Sequence, residues 1–264
     1  MARLQPEHSV PSGRRIPNTV KALWCPVSRY YTTQGIVLRT YKLGEADRII
    51  VLVSPDRGMI RAVAKGVRKT KSKFGSRLEP TTHVSLQIHK GKADLDLITQ
   101  VETLDYFRSI REDFNRLTKA VAMLEAVDQV ALLGEPAVEL HRMLLGALNS
   151  LEENDSPLIT ASFFLKLLAL EGSGPIVEQC VACGETTVVA FSNEEGGVMC
   201  EIHRTGFPVS GEAVELLRSI LGGQLGLALN KPESAGTKEI ERLATGALEY
   251  LLERRMRTTR ILGD

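Results

Sequence analysis

Two hydrophobic periods divide this chain. Between Tyr30 and Glu102, short runs rich in Ile, Val, Leu or Thr recur at Gly35 to Tyr41, Arg48 to Val53, Met59 to Lys65, Thr82 to His89 and Asp94 to Val101. Each run is bounded by turn residues, so the pattern predicts five β-strands. Ser54-Pro55-Asp56-Arg57-Gly58 reads as a type I turn closed by glycine, and His89-Lys90-Gly91-Lys92 as a second tight reversal. In the fourth run Val84, Leu86 and Ile88 alternate with Ser85, Gln87 and His89, and in the fifth Leu95, Leu97, Thr99 and Val101 alternate with Asp94, Asp96, Ile98 and Gln100. Each of these strands is expected to have one buried and one wet face.

After Thr103 the period lengthens to nearly four. Ile110, Phe114, Leu117, Val121, Leu124, Val127 and Ala131 share one face of a long helix that Gly134 to Pro136 ends. Val138, His141, Leu144, Leu145, Leu148 and Leu151 mark a second helix, with His141 read as a satisfied core residue. Asn154-Asp155-Ser156-Pro157 then supplies a cap and a first-turn proline for a third helix, apolar nearly all round and so expected at the centre of a bundle. Ser210 to Leu221 and a last helix opening at Thr237 complete the set. The expected fold class is α+β: a five-stranded OB-type barrel at 29–102 and a helical domain at 103–264 that carries an insert at 178–205. Met1 to Ser28 holds four prolines, scattered Arg including Arg14 and Arg15, and no hydrophobic period, and reads as a disordered leader.

Composition changes the picture mainly through its asymmetry. The whole chain has a formal charge of only +1, yet Arg29 to Lys92 contains 14 Lys and Arg against 4 Asp and Glu. A small barrel with so lopsided a charge fits a polyanion, and OB barrels bind single-stranded nucleic acid across their strands and loops. The candidate contacts are Arg39, Arg61 and Lys65 on the strands, and Arg68, Lys69, Lys71, Lys73 and Arg77 in the basic loop after the third strand. That loop reads as an exposed phosphate clamp in which Phe74 stacks on a base. Arg254, Arg255, Arg257 and Arg260 form a second basic set, assigned either to nucleic acid or a partner, or to complementing a helix C-terminus. With 5% aromatic residues, phosphate contacts are expected to outweigh base stacking, and sequence selectivity to be weak.

The sharpest local signal is Cys180-x2-Cys183 followed by Cys200-x2-His203. Two knuckles of this spacing aim four ligands at one tetrahedral zinc, with Glu194 to Gly197 turning the hairpin between them. All four positions are filled, so the zinc is expected to be structural, and thiols used this way suit a reducing cytoplasm. Phosphate-cradling and nucleophile-elbow motifs are missing, which removes support for an ATPase or hydrolase, and the barrel's acids form no compact magnesium set, which does the same for a nuclease. No catalytic residue is assigned, and no apolar run is long enough to span a membrane.

The opening motif Gly35-Ile36-Val37-Leu38-Arg39-Thr40-Tyr41-Lys42-Leu43-Gly44-Glu45-Ala46-Asp47-Arg48, the Ser54 to Gly58 turn, the helices and the zinc insert, in that order, resemble the RecO family of bacterial recombination and repair mediators. The resemblance spans Tyr30 to the C-terminus. It implies an OB domain, a helical domain and a zinc module without nucleotide hydrolysis, in a cytoplasmic protein that acts at the nucleoid. Such a protein would bind single- and double-stranded DNA, anneal complementary strands and, with RecR, help load RecA onto DNA coated by single-strand-binding protein. Some family members lack the zinc cysteines, which implies a scaffolding metal. The residues alone are also compatible with an RNA-binding OB protein carrying a zinc ribbon, or with a nonenzymatic adaptor for acidic protein tails.

Overall fold

A computed structural model describes residues 29–91 and 95–258. The leader, the start of the fifth predicted strand at Asp94, Lys92 and Arg260 lie outside the described residues. Five strands, β1 (Tyr30–Leu43), β2 (Asp47–Ser54), β3 (Gly58–Ala64), β4 (His83–His89) and β5 (Asp96–Asp105), close into a barrel in the order β1-β2-β3-β5-β4. All neighbours are antiparallel except β3 and β5. This is the arrangement of an OB-type barrel, as the runs of the sequence predict.

The inner wall is apolar: Val37, Ile50, Leu52, Ile60, Ala62, Val84, Leu86, Ile88 and Ile98 fill the barrel. β1 and β2 bury a second face as well. Ile36, Leu38, Val51 and Val53, with Met59 of β3, point outward into the core of the helices. Burial on both sides explains why Ile36-Val37-Leu38 and Ile49 to Val53 are continuous apolar runs and not alternating ones. A bulge between Val37 and Arg39 bends β1 where this contact is made.

The helices are α1 (Arg108–Glu112), α2 (Phe114–Val130), α3 (Val138–Glu153), α4 (Ile159–Leu170), α5 (Gly211–Leu221), α6 (Leu225–Leu229) and α7 (Ala235–Leu251). The first expected helix is thus two. Asp113 is extended, and its side chain accepts from the Arg116 N–H as the cap of α2, which breaks the run and leaves Phe114 exposed. Nine of the twelve residues of α4 are buried, which places it in the centre as its sequence requires. The short α6 carries too few residues to show a period. A cap by Ser234, reciprocated by Thr237, starts α7 slightly ahead of the expected residue.

Two details tie the barrel to the helices. The β2–β3 turn meets the α2–α3 connection, where Met59 N–H donates to Leu132 O at 2.8 Å and Ala137 N–H to Pro55 O at 2.9 Å. Gly58 sits there at φ +60°, and a Cβ would lie 2.0 Å from Glu135 O. The second detail is a buried imidazole pair: His83 of β4 and His141 of α3 have ring centroids 5.4 Å apart. His141 is in the core as expected but not satisfied, since neither Nε2 has a hydrogen-bond partner among the described residues. Burial, and then the neighbouring His83, push His141 down to about 4; His83 is lowered too, mainly by burial.

Gly58→Ala should destabilise the fold by about 2–4 kcal/mol, from positive-φ strain plus the backbone clash, against about 1 kcal/mol for Gly44→Ala, whose added methyl meets nothing. Urea denaturation of the two variants checks this; equal losses would mean that the turn does not abut the helices. Both histidines favour the uncharged form in the fold, so the unfolded chain binds more protons than the native one between pH 6.5 and about 4. Stability should therefore fall as pH drops through that window, and the slope should flatten in His141→Leu. A denaturation midpoint with the same pH slope in both proteins would count against the buried pair.

Candidate nucleic-acid interface and metal centre

Strand register assembles the barrel's outer face. Arg39 of β1, Val51 of β2 and Arg61 of β3 lie in one cross-strand row, and Tyr41, Ile49 and Val63 in the next. Past Val51, which the helices cover, this face emerges into solvent: Tyr41 and Arg61 are exposed, and Ile49 and Val63 half-buried. The Arg39 guanidinium lies 4.8 Å from the Tyr41 ring centroid. Arg39 is also anchored from below, since its Nε is 2.9 Å from Oδ1 of Asp128 on α2, a carboxylate only 5% exposed. Burial raises the Asp128 pKa against the pull of Arg39, Arg61 and Arg254. Guanidinium and aromatic surfaces side by side suit a strand of nucleic acid, one taking phosphate and the other a base face. Tyr41 was missed from the sequence, although its step of two from Arg39 puts it on the same face.

The basic loop is exposed at Lys65, Arg68, Lys69, Lys71, Lys73 and Arg77, but it is not the loose clamp that its composition suggests. Phe74 is 1% exposed and Leu78 2%, and both pack into the barrel core. Phe74 therefore cannot stack on a base; the apolar side chain was worth more inside the barrel than in solvent, by roughly 2–3 kcal/mol. Backbone carbonyls hold some of the cations in place: Arg68 donates to Glu45 O at 2.9 Å, Lys73 to Thr99 O at 2.9 Å and Arg77 to Lys73 O at 3.1 Å. Lys65, Lys69 and Lys71 have no such tie among the described contacts.

The C-terminal arginines are not a trailing tail. From Glu253 the chain turns back over α2, with exposed Arg255 and Arg257 alternating with buried Met256 and Thr258. Glu125 of α2 accepts from the N–H groups of Arg257 and Thr258 at 2.9 Å each and from the Thr258 hydroxyl. Arg254 donates to Gln129, one residue from Asp128. The two basic sets that are remote in sequence thus meet on one helix.

At the other end of the helical part, β6 (Ala190–Ser192), β7 (Gly197–Met199) and β8 (Phe207–Pro208) form a small sheet beside the knuckles. Gly184, at φ +78°, closes the first knuckle by donating its N–H to Cys180 O at 2.9 Å. One donor atom from each of Cys180, Cys183, Cys200 and His203 falls within 4.8 Å of all the others. Cys183 and Cys200 sulfurs are 3.7 Å apart, and Cys200 Sγ lies 3.4 Å from His203 Nδ1. A tetrahedron with metal–sulfur bonds of about 2.3 Å has edges of about 3.8 Å, so the group can hold a metal ion. Backbone N–H from Cys200 helps bring the Cys180 thiol down to about 6, toward the thiolate that a metal requires. Arg218 of α5 fastens the module from outside, donating to Val177 O at 3.0 Å and Glu178 O at 2.8 Å.

Residues 28–107 match the family model described as Recombination protein O N terminal, and 111–260 that described as Recombination protein O C terminal. Relatives bearing the name DNA repair protein RecO include one from Bifidobacterium adolescentis, 42% identical over 88% of this chain and 98% of that protein. Another, from Thermobifida fusca, is 39% identical over 88% and 98%, and one from a Nocardioides species is 41% identical over 86% and 97%. No described helix is long and apolar enough to cross a membrane.

Proposed function

This chain belongs to the RecO family of DNA repair proteins, and from that membership we propose that it is a recombination mediator that works without nucleotide hydrolysis. It binds single- and double-stranded DNA and anneals complementary strands. Together with RecR, it helps RecA to replace single-strand-binding protein on coated DNA at the nucleoid. The observation that carries this reading is the basic outer surface of the closed barrel, with Arg39 and Arg61 on the strands and Lys65, Arg68, Lys69, Lys71, Lys73 and Arg77 in the adjoining loop.

Annealing follows from elementary electrostatics. Two strands repel through their phosphates, and a basic surface that neutralises part of that charge lets them approach. Contacts restricted to phosphates leave the base edges free to pair. No proton transfer or nucleophile is needed for that step.

The four-ligand cluster is assigned to structural zinc. Bound there, zinc supplies a cross-link between the two knuckles and no open position for chemistry. The protein's own part is to fix the ligands: Gly184 turns the first knuckle and Arg218 holds its flank.

Two measurements test these assignments. Purified without chelators, the protein should carry one zinc per chain, and Cys183→Ser should lose it and lose stability, metal binding in such modules being worth on the order of 10 kcal/mol. Metal analysis that returns no zinc would refute the assignment. The protein should also anneal complementary strands coated with single-strand-binding protein at one rate with or without ATP. Replacing Lys69, Lys71 and Lys73 by Ala should slow annealing and lower the salt slope of log affinity by about 2, at roughly 0.7 per phosphate contact. A rate that rises with ATP, or a triple variant with an unchanged slope, would contradict the mechanism or the site respectively.

A further inference from the structure

We propose that the C-terminal segment from Arg254 to Thr258 is a strap that completes the barrel's DNA site, so that Arg39, Arg61 and Arg254 grip one short stretch of single strand over α2. The proposal rests on the DNA-binding reading above and adds that the barrel and the C-terminus are one site and not two.

The geometry is specific. Arg39 and Arg61 flank Val51 in one cross-strand row, so they rise from the same patch of the outer face. Asp128 lies beneath Arg39 at 2.9 Å. Arg254 bonds to Gln129, the next residue of the same helix, and acts on Asp128 as Arg39 and Arg61 do. Asp128 is the shared base of the cluster, but at 5% exposure it is set below the surface, whereas Arg61 and Arg254 are exposed and Arg39 partly so. Three guanidinium groups against the carboxylates of Asp128 and Glu125 leave a net positive rim, which suits a phosphodiester with its negative charge on two oxygens.

The strap is held by features unrelated to charge display. Met256 is 1% exposed and fills the core, and Met256 N–H donates to Glu249 Oε1 at 2.8 Å. Glu125 uses both carboxylate oxygens on the strap's backbone and on the Thr258 hydroxyl. Buried Met256 and Thr258 alternate with exposed Arg255 and Arg257, so the segment is laid on the surface with its cations outward. A segment serving only to complement the end of α7 needs neither the anchor nor the alternation.

Strand length separates one site from two. An OB-type site holds as few as about four nucleotides, so a labelled five-residue oligothymidine can occupy the barrel face without reaching a distant second patch. The experiment measures binding of this pentamer and of a thirty-residue oligothymidine, at low salt, to the full-length wild type and to Arg61→Ala, Arg254→Ala and Glu125→Ala. Arg254→Ala should weaken pentamer binding about 3- to 10-fold, as much as Arg61→Ala does. Glu125→Ala is the sharper variant. Removal of a negative charge near the site would by itself raise affinity, whereas release of the strap should lower it about as far as Arg254→Ala does. Alanine suits α2, and circular dichroism verifies the fold.

If Arg254→Ala weakens the thirty-mer and leaves the pentamer unchanged, the C-terminus is a separate site and the proposal is wrong. A wild type that binds the thirty-mer and not the pentamer, or a Glu125→Ala variant that binds more tightly, overturns it as well, with DNA binding by the protein left standing. Failure of the wild type to bind either oligomer would instead refute the DNA-binding reading.

Discussion

The double burial of β1 and β2 is the contact on which the rest of the molecule depends. Their inner faces close the barrel and their outer faces, through Ile36, Leu38, Val51 and Val53, enter the core of the helices. Each such side chain contributes about 1.5–3 kcal/mol on burial. Barrel and helices therefore share a core that neither completes alone. It also orients the basic face, because Arg39 follows Leu38 directly and leaves the shared core beside Asp128, which α2 provides. Packing thus sets where the first arginine of the row emerges.

The elements of this fold were legible in the sequence to the extent that each followed one rule. Strand runs with turn residues between them, and a four-residue period after Thr103, gave the barrel and the helices, and paired ligand spacing gave the metal group. Asp113 was not legible as a break because its neighbours keep the apolar period, and a cap is decided by one side chain accepting one N–H. Phe74 was misread for a different reason. A lone aromatic residue in a cationic loop looks like a stacking group, and only the folded barrel shows that it belongs to the core. His141 was placed in the core by its period, but the partner that leaves it strained in acid, His83, is 58 residues away and carries no local signal.

The candidate site was least legible where distant segments converge. Sequence separates the barrel cations from the C-terminal arginines by more than a hundred residues, and α2 joins them through Glu125, Asp128 and Gln129, which look like the solvated face of an ordinary helix. Acidic residues beside a surface proposed to meet DNA would ordinarily be read as unfavourable to binding. Here they fasten arginines and backbone N–H groups from other elements. The metal centre is the opposite case, since its ligands are paired along the chain and only the separation between the knuckles had to be closed by folding.

The buried anchors of the basic loop have a thermodynamic consequence. A free loop of ten residues, Arg68 to Arg77, with five cations would lose much conformational freedom on meeting a polyanion, at about 1–2 kcal/mol for each residue ordered. Phe74 and Leu78 fix the loop at two points before any ligand arrives, and the carbonyls of Glu45, Thr99 and Lys73 hold several side chains near one geometry. Much of that entropy is already lost when the chain folds. The barrel's hydrophobic core would thereby strengthen the proposed interaction, electrostatic at its surface, and the affinity of the loop would be set partly by residues that never touch the ligand.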